Sequence, residues 1–133
     1  RVSHAMSYFD QTLRTLSTGD LSASVTTFTA SDFGRTIHSN GDGTDHGWGA
    51  HHFVMGGAVK GGDIYGEFPV IGVSDKKTGY DNPDEVDRSF LPKISVDQYA
   101  ATIARWFGVP PADLPQVFPN LGAFATPDLG FLT

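Results

Sequence analysis

The sequence predicts an α/β domain. Three observations carry that reading: a helical apolar period near the N-terminus, an uncharged β-branched run after it, and a second helical period from Ser95. The chain joining them is too rich in glycine for further long elements, with 16 glycines in 133 residues. That length fits one domain with one modest core, taken as residues 1–133.

Residues 2–17 read as the first helix. Ala5, Phe9, Leu13 and Leu16 recur at helical spacing, and Gly19 follows where a helix would stop. Residues 22–30, SASVTTFTA, lack charge and read as a buried strand. A polar stretch begins at once. Residues 31–52 carry four of the five histidines, so a loop of acidic and imidazole groups is expected at the carboxyl end of a strand. Short strands are expected around residues 53–55, 64–65 and 70–73, and the charged stretch SDKKTGYDNPDEVDRS reads as an exposed loop. From Ser95 the capping box SVDQ opens the second helix, with Val96, Tyr99, Ala100, Ile103 and Phe107 on its apolar face and Gly108 at its end. The Pro- and Phe-rich tail reads as irregular chain lying across a core.

Bulk properties exclude several functions. A net charge of −6 leaves no basic stripe for a phosphate backbone, so no nucleic-acid partner is expected. No apolar run approaches the roughly 18 residues of a spanning helix, so no membrane partner is expected either. The absence of cysteine removes disulfides, thiolate ligands and a cysteine nucleophile. The opening RVSHAMSYFD has neither an initiator methionine nor an apolar leader, and reads as an excised or mature piece of something longer.

The chemistry concentrates in residues 32–52. Asp32 follows the strand run, and Arg35 three residues on is either its salt-bridge partner or a bidentate clamp for an anionic substrate group. TDHGWGAHH presents Asp45, His46, His51 and His52, suitable ligands for zinc or manganese although the D-H-x4-H-H spacing matches no helix-borne zinc motif. Adjacent His51 and His52 point to opposite faces if extended, so one of them serves any given site. Trp48, flanked by glycines, reads as a buried anchor for the loop, with stacking of a sugar or base as the alternative. Asn40-Gly41 is a turn dipeptide. Lys60 in GGAVKGG lacks the P-loop spacing and reads as part of a plain turn.

VTTFTASDFGRT, SNGDGTDHGWGAHHFVMGGAVKGGDIYGEFP, SVDQYAATIARWFGV and FPNLGAF cover nearly the whole chain. They resemble the C-terminal third of an exported bacterial sulfatase-like family of unknown function in the alkaline phosphatase/sulfatase superfamily. The resemblance implies a fragment of an alkaline-phosphatase-like fold, whose central sheet holds metals at its strand ends. It also implies a periplasmic or extracellular parent whose nucleophile and other ligands lie upstream. Asp32 matches the Asp of an Asp-His metal pair and His46 the later metal-binding His, while Phe33 stands where the partner His is expected.

Two classes of function follow. The first is a hydrolase acting on an ester or other polar bond of a small-molecule or carbohydrate substrate. A divalent metal, zinc or manganese, would be held by Asp32, His46 and His51. Asp32, Arg35, Asp45 and His46 would be the catalytic group, and Arg35, Trp48 and His52 would contact substrate. Its metal-free form uses Asp32 and Asp45 as a glycosidase-type acid–base pair. The second is a non-catalytic fragment whose uncovered apolar surface drives homo-oligomerisation or pairing with the missing N-terminal part.

Overall fold

The computed structural model describes residues 1–133. Along the chain run α1 (Val2–Arg14), β1 (Thr26–Phe28), β2 (Gly34–Ser39), β3 (Thr44–Gly47), β4 (Val54–Gly56), β5 (Glu85–Val86), β6 (Ser89–Phe90), α2 (Val96–Trp106) and α3 (Leu114–Val117). The class is mixed α/β, with few helices, short strands and long glycine-rich connections as the sequence predicts. The strands form three separate two-stranded antiparallel sheets, β1–β4, β2–β3 and β5–β6, rather than one central sheet. The chain divides into two compact units: residues 1–29, 52–65 and 96–133, and residues 30–51 and 66–95.

The first unit holds every buried hydrophobic side chain: Leu13, Ala101, Leu114, Leu121 and Phe131. Ala101 of α2 meets Leu114 and Leu121, with Ala104, Val109 and Phe118 packed around them. The small residues of α2 allow this close approach, so its buried face is Gln98, Ala101 and Thr102 and not the Val96–Phe107 stripe. Gln98 Nε2 donates to the Thr126 carbonyl (2.7 Å), and Thr102 Oγ1 accepts from Leu129 N–H (2.9 Å). These polar contacts lay the tail across α2. Phe131 then packs against Tyr65 and Tyr99, and Leu132 bridges to Val59.

α1 forms where predicted but ends at Arg14, which leaves Leu16 beyond it, and of the four apolar positions read for this helix only Leu13 is buried. Phe9 and Leu16 remain 43% and 36% exposed. The buried strand expected over residues 22–30 shrinks to the half-buried three-residue β1. Asp20 Oδ1 accepts from Ser22 N–H (2.8 Å), and this local bond turns residues 22–24 into a 3₁₀ turn instead of extending the strand.

No hydrophobic side chain is buried in the second unit, whose buried side chains are Asn82, Asp84 and Ser89. Asn82 Nδ2 donates to the carbonyls of Val70 (2.8 Å) and Gly72 (2.9 Å), and its Oδ1 accepts from Asp84 N–H (2.9 Å). Asp84 Oδ2 accepts from Val70 N–H (2.8 Å), and Lys93 pairs with its other oxygen. Glu85 Oε2 accepts from Ser74 N–H (2.6 Å). Asn82 and Asp84 fall within the stretch read as an exposed loop, yet are only 2% and 5% exposed. The strand expected over residues 70–73 is absent for the same reason. Side chains, not a neighbouring strand, satisfy its backbone groups. Residues 64–65 likewise form no strand; Ile64 N–H bonds to Asp63 Oδ1 (2.8 Å).

Much of the polar stretch read as a loop is the β2–β3 hairpin, with Gly34 opposite Gly47 and Arg35 opposite His46. The expected Asn40-Gly41 turn is present, closed by Asn40 N–H to the Gly43 carbonyl (3.0 Å). Close backbone approach fixes glycine at two places. A Cβ on Gly34 would lie 2.1 Å from the Gly49 carbonyl oxygen, and one on Gly47 would lie 2.4 Å from Ser89 Oγ. The β5–β6 hairpin turns through Asp87 and Arg88, both left-handed at φ 49° and 65°. That conformation costs an L-residue with a side chain about 1–2 kcal/mol, and Asp tolerates it better than Arg. Ile37 N–H of β2 donates to the Arg88 carbonyl (2.7 Å) and holds the turn in place.

The Lys93 ammonium and the Val70 N–H hold the Asp84 carboxyl below its ordinary range, and the Ser74 N–H does the same for Glu85. Because both are depressed in the fold, their stabilisation is present above the ordinary carboxylate range and disappears as pH falls through the folded values. Hydrogen-exchange protection at Val70 and Ser74, corrected for intrinsic rate, should therefore drop below about pH 4. Asn82→Ala should destabilise the second unit by about 2 kcal/mol, read as lost protection of the same amides, because it removes the buried amide that joins Val70, Gly72 and Asp84.

Candidate functional site

The β2–β3 hairpin sets out one set of side chains. Phe33, Arg35 and His46 share a face, since Arg35 and His46 are cross-strand partners and Phe33 lies two residues before Arg35. The Phe33 ring stacks on the His46 imidazole, with centroids 3.8 Å apart and planes 10° from parallel. The Arg35 guanidinium lies 4.9 Å from the Phe33 centroid while its Nη1 donates to the Thr44 carbonyl (2.6 Å). Arg35 is thus engaged with its own hairpin and not with Asp32. Phe33, the residue that departs from the resemblance, fixes the plane of His46 through a contact of a kind worth about 1 kcal/mol.

Strand alternation sends Asp45 to the other face from His46. Its Oδ1 accepts from Asn40 Nδ2 (2.8 Å), and its backbone N–H donates to Thr36 Oγ1 (3.1 Å). Asp45 therefore pins the hairpin turn. Asp32 is exposed in the segment that precedes β2.

His51 and His52 also rest on aromatic rings. His51 stacks on Phe68 at 4.8 Å. His52 belongs to the first unit, where it stacks on Tyr99 at 5.5 Å with Nδ1 3.3 Å from Thr29 Oγ1. Asp32, His46 and His51 do not come together as a metal-holding group, and no other three His, Asp or Glu side chains do so. Lys60 Nζ donates to the Gly130 carbonyl (3.0 Å), in keeping with its place in a plain turn.

His46 and Trp48 do come together, in a cleft of about 380 Å³ also lined by Gly47, Val86, Asp87 and Ser89. Trp48 is 68% exposed at this cleft, so it is not the buried anchor expected from its flanking glycines. Asp87 and Ser89 were not legible as site residues. They lie in the charged run read as a loop, and the β5–β6 turn brings them beside His46. The one local signal was the Val-Asp-Arg-Ser order itself, a two-residue polar break that opens a hairpin. The arrangement places an imidazole, a carboxylate, a hydroxyl and an open indole around one space, with no lysine or arginine among the lining residues.

No curated protein and no solved structure matches this chain. A family model matches residues 1–113, so the chain belongs to the family described as "Protein of unknown function (DUF1501)".

Proposed function

We propose that this chain is a hydrolase-like domain acting on an ester or another polar bond, with His46 as its proton-transfer group. The observation that carries the reading is the His46 imidazole, held in plane by Phe33 and facing a cleft with Asp87 and Ser89. An oriented imidazole in a cleft is suited to general acid–base work near neutral pH. In ester hydrolysis it accepts a proton from water as the water oxygen bonds to the acyl carbon. It then returns a proton to the departing alkoxide, releasing acid and alcohol. The resemblance of SDFGRT and DHGWG to sulfatase-like proteins supports hydrolysis as the reaction class and an exported parent. Asp45, tied to Asn40, is the less apt acid–base partner.

A second reading, assembly through apolar faces, is favoured by α1. Val2 and Phe9 lie seven residues apart on α1 and are 59% and 43% exposed, and Leu16 just beyond its end is 36% exposed. Light scattering should find a multimer that Phe9→Asp dissociates; a wild-type monomer at all concentrations would remove this reading.

For the hydrolase reading, chromogenic carboxylic, phosphate and sulfate esters should be screened with wild type and His46→Ala. Turnover of at least one is expected, falling about 10²- to 10⁴-fold in His46→Ala. Turnover that survives the substitution unchanged would refute the role given to His46.

A further inference from the structure

We propose that the cleft binds a neutral, hydroxylated saturated ring of the pyranose type, stacked on Trp48 and held at its hydroxyls by Asp87 with His46 and Ser89. This rests on the hydrolase reading for its reaction but on separate observations for its ligand.

The first observation is charge. The cleft lining contains a carboxylate and no lysine or arginine, and Arg35 is committed to Thr44 and Phe33. On a chain of net charge −6, such a cleft offers no fixed cation among its lining residues to hold an anionic group, so a neutral ligand suits it better.

The second is the indole. Trp48 exposes a large flat apolar face at 68% exposure, beside a carboxylate, an imidazole and a hydroxyl able to hydrogen-bond a ligand. A pyranose ring offers both halves at once: an apolar C–H face for the indole and an equatorial rim of hydroxyls. A carboxylate only accepts, and its two oxygens match two donors of a vicinal diol. Imidazole and hydroxyl groups can each donate or accept.

The third is the turn that carries the carboxylate. Asp87 and Arg88 are both left-handed, where glycine would be easier, and the Ile37 N–H holds this turn by its Arg88 carbonyl. A turn that served only to join β5 to β6 would be met more cheaply by Asn-Gly. Retaining Asp at the first position keeps a carboxylate at the cleft.

The test uses Trp106→Phe protein, in which Trp48 is the single tryptophan reporter. Neutral tetrasaccharides of glucose, galactose and mannose are titrated against its emission, with sodium sulfate and oligoglucuronate as anionic comparators. At least one neutral tetrasaccharide should shift Trp48 emission saturably, and the anions should not. Asp87→Asn, which keeps the left-handed turn accessible, should weaken that binding about tenfold, roughly the loss of one charge-assisted hydrogen bond. Arg88→Gly relaxes the turn and should leave binding unchanged, with circular dichroism confirming the fold of both variants. No binding by any neutral tetrasaccharide, binding by the anions alone, or an Asp87→Asn variant that binds as well as wild type would each overturn the proposal. p-Nitrophenyl acetate turnover, measured on the same samples, separates the two readings. Turnover without saccharide binding would overturn the ligand and keep the hydrolase. Saccharide binding without turnover of any ester or of the tetrasaccharide itself would do the reverse.

Discussion

Asn82 is the constraint on which the second unit depends. With no buried hydrophobic side chain there, burial of apolar surface cannot hold its segments together, and directed polar contacts take that role. One amide binds the carbonyls of Val70 and Gly72 and the N–H of Asp84, and Asp84 in turn binds Val70 and Lys93. Such a network is strong when complete and costly when broken, because the buried Asn82 and Asp84 side chains at its centre would lose their partners. It also fixes where β5 begins, and so where Asp87 and Ser89 stand.

The cleft is a product of backbone proximity. Gly34 and Gly47 let β2 and β3 come against neighbouring chain at distances no side chain would permit. Gly47 places the β3 backbone against Ser89, and His46 lies immediately before it. The same hairpin spreads the acidic and imidazole groups of this stretch apart. Alternation sends Asp45 and His46 to opposite faces, and each remaining imidazole of the DHGWGAHH block packs on its own aromatic ring.

The first unit is built differently. Its core is small, centred on Ala101, Leu114 and Leu121, and its helices carry apolar residues that the core does not cover. Val96 and Phe107, both read as part of the inner face of α2, are 71% and 82% exposed. Helical periodicity finds a helix and an apolar side. It does not say which residues the tail will cover, since Gln98 and Thr102 direct the tail through hydrogen bonds that hydropathy ignores.

The sequence by itself determined the mixed α/β class, both long helices, the short strand near residue 54 and the Asn40-Gly41 turn. These depend on local periods and turn chemistry, which neighbouring residues carry. Only the tertiary structure decided that residues 70–73 run without a strand partner and that Asp84 is buried. It also decided that Trp48 is open and that Asp87, some forty residues away, is the carboxylate of its cleft. Those outcomes depend on which backbone groups a distant side chain satisfies and on how closely two glycines let the chain approach. Neither is written in the residues that show the result.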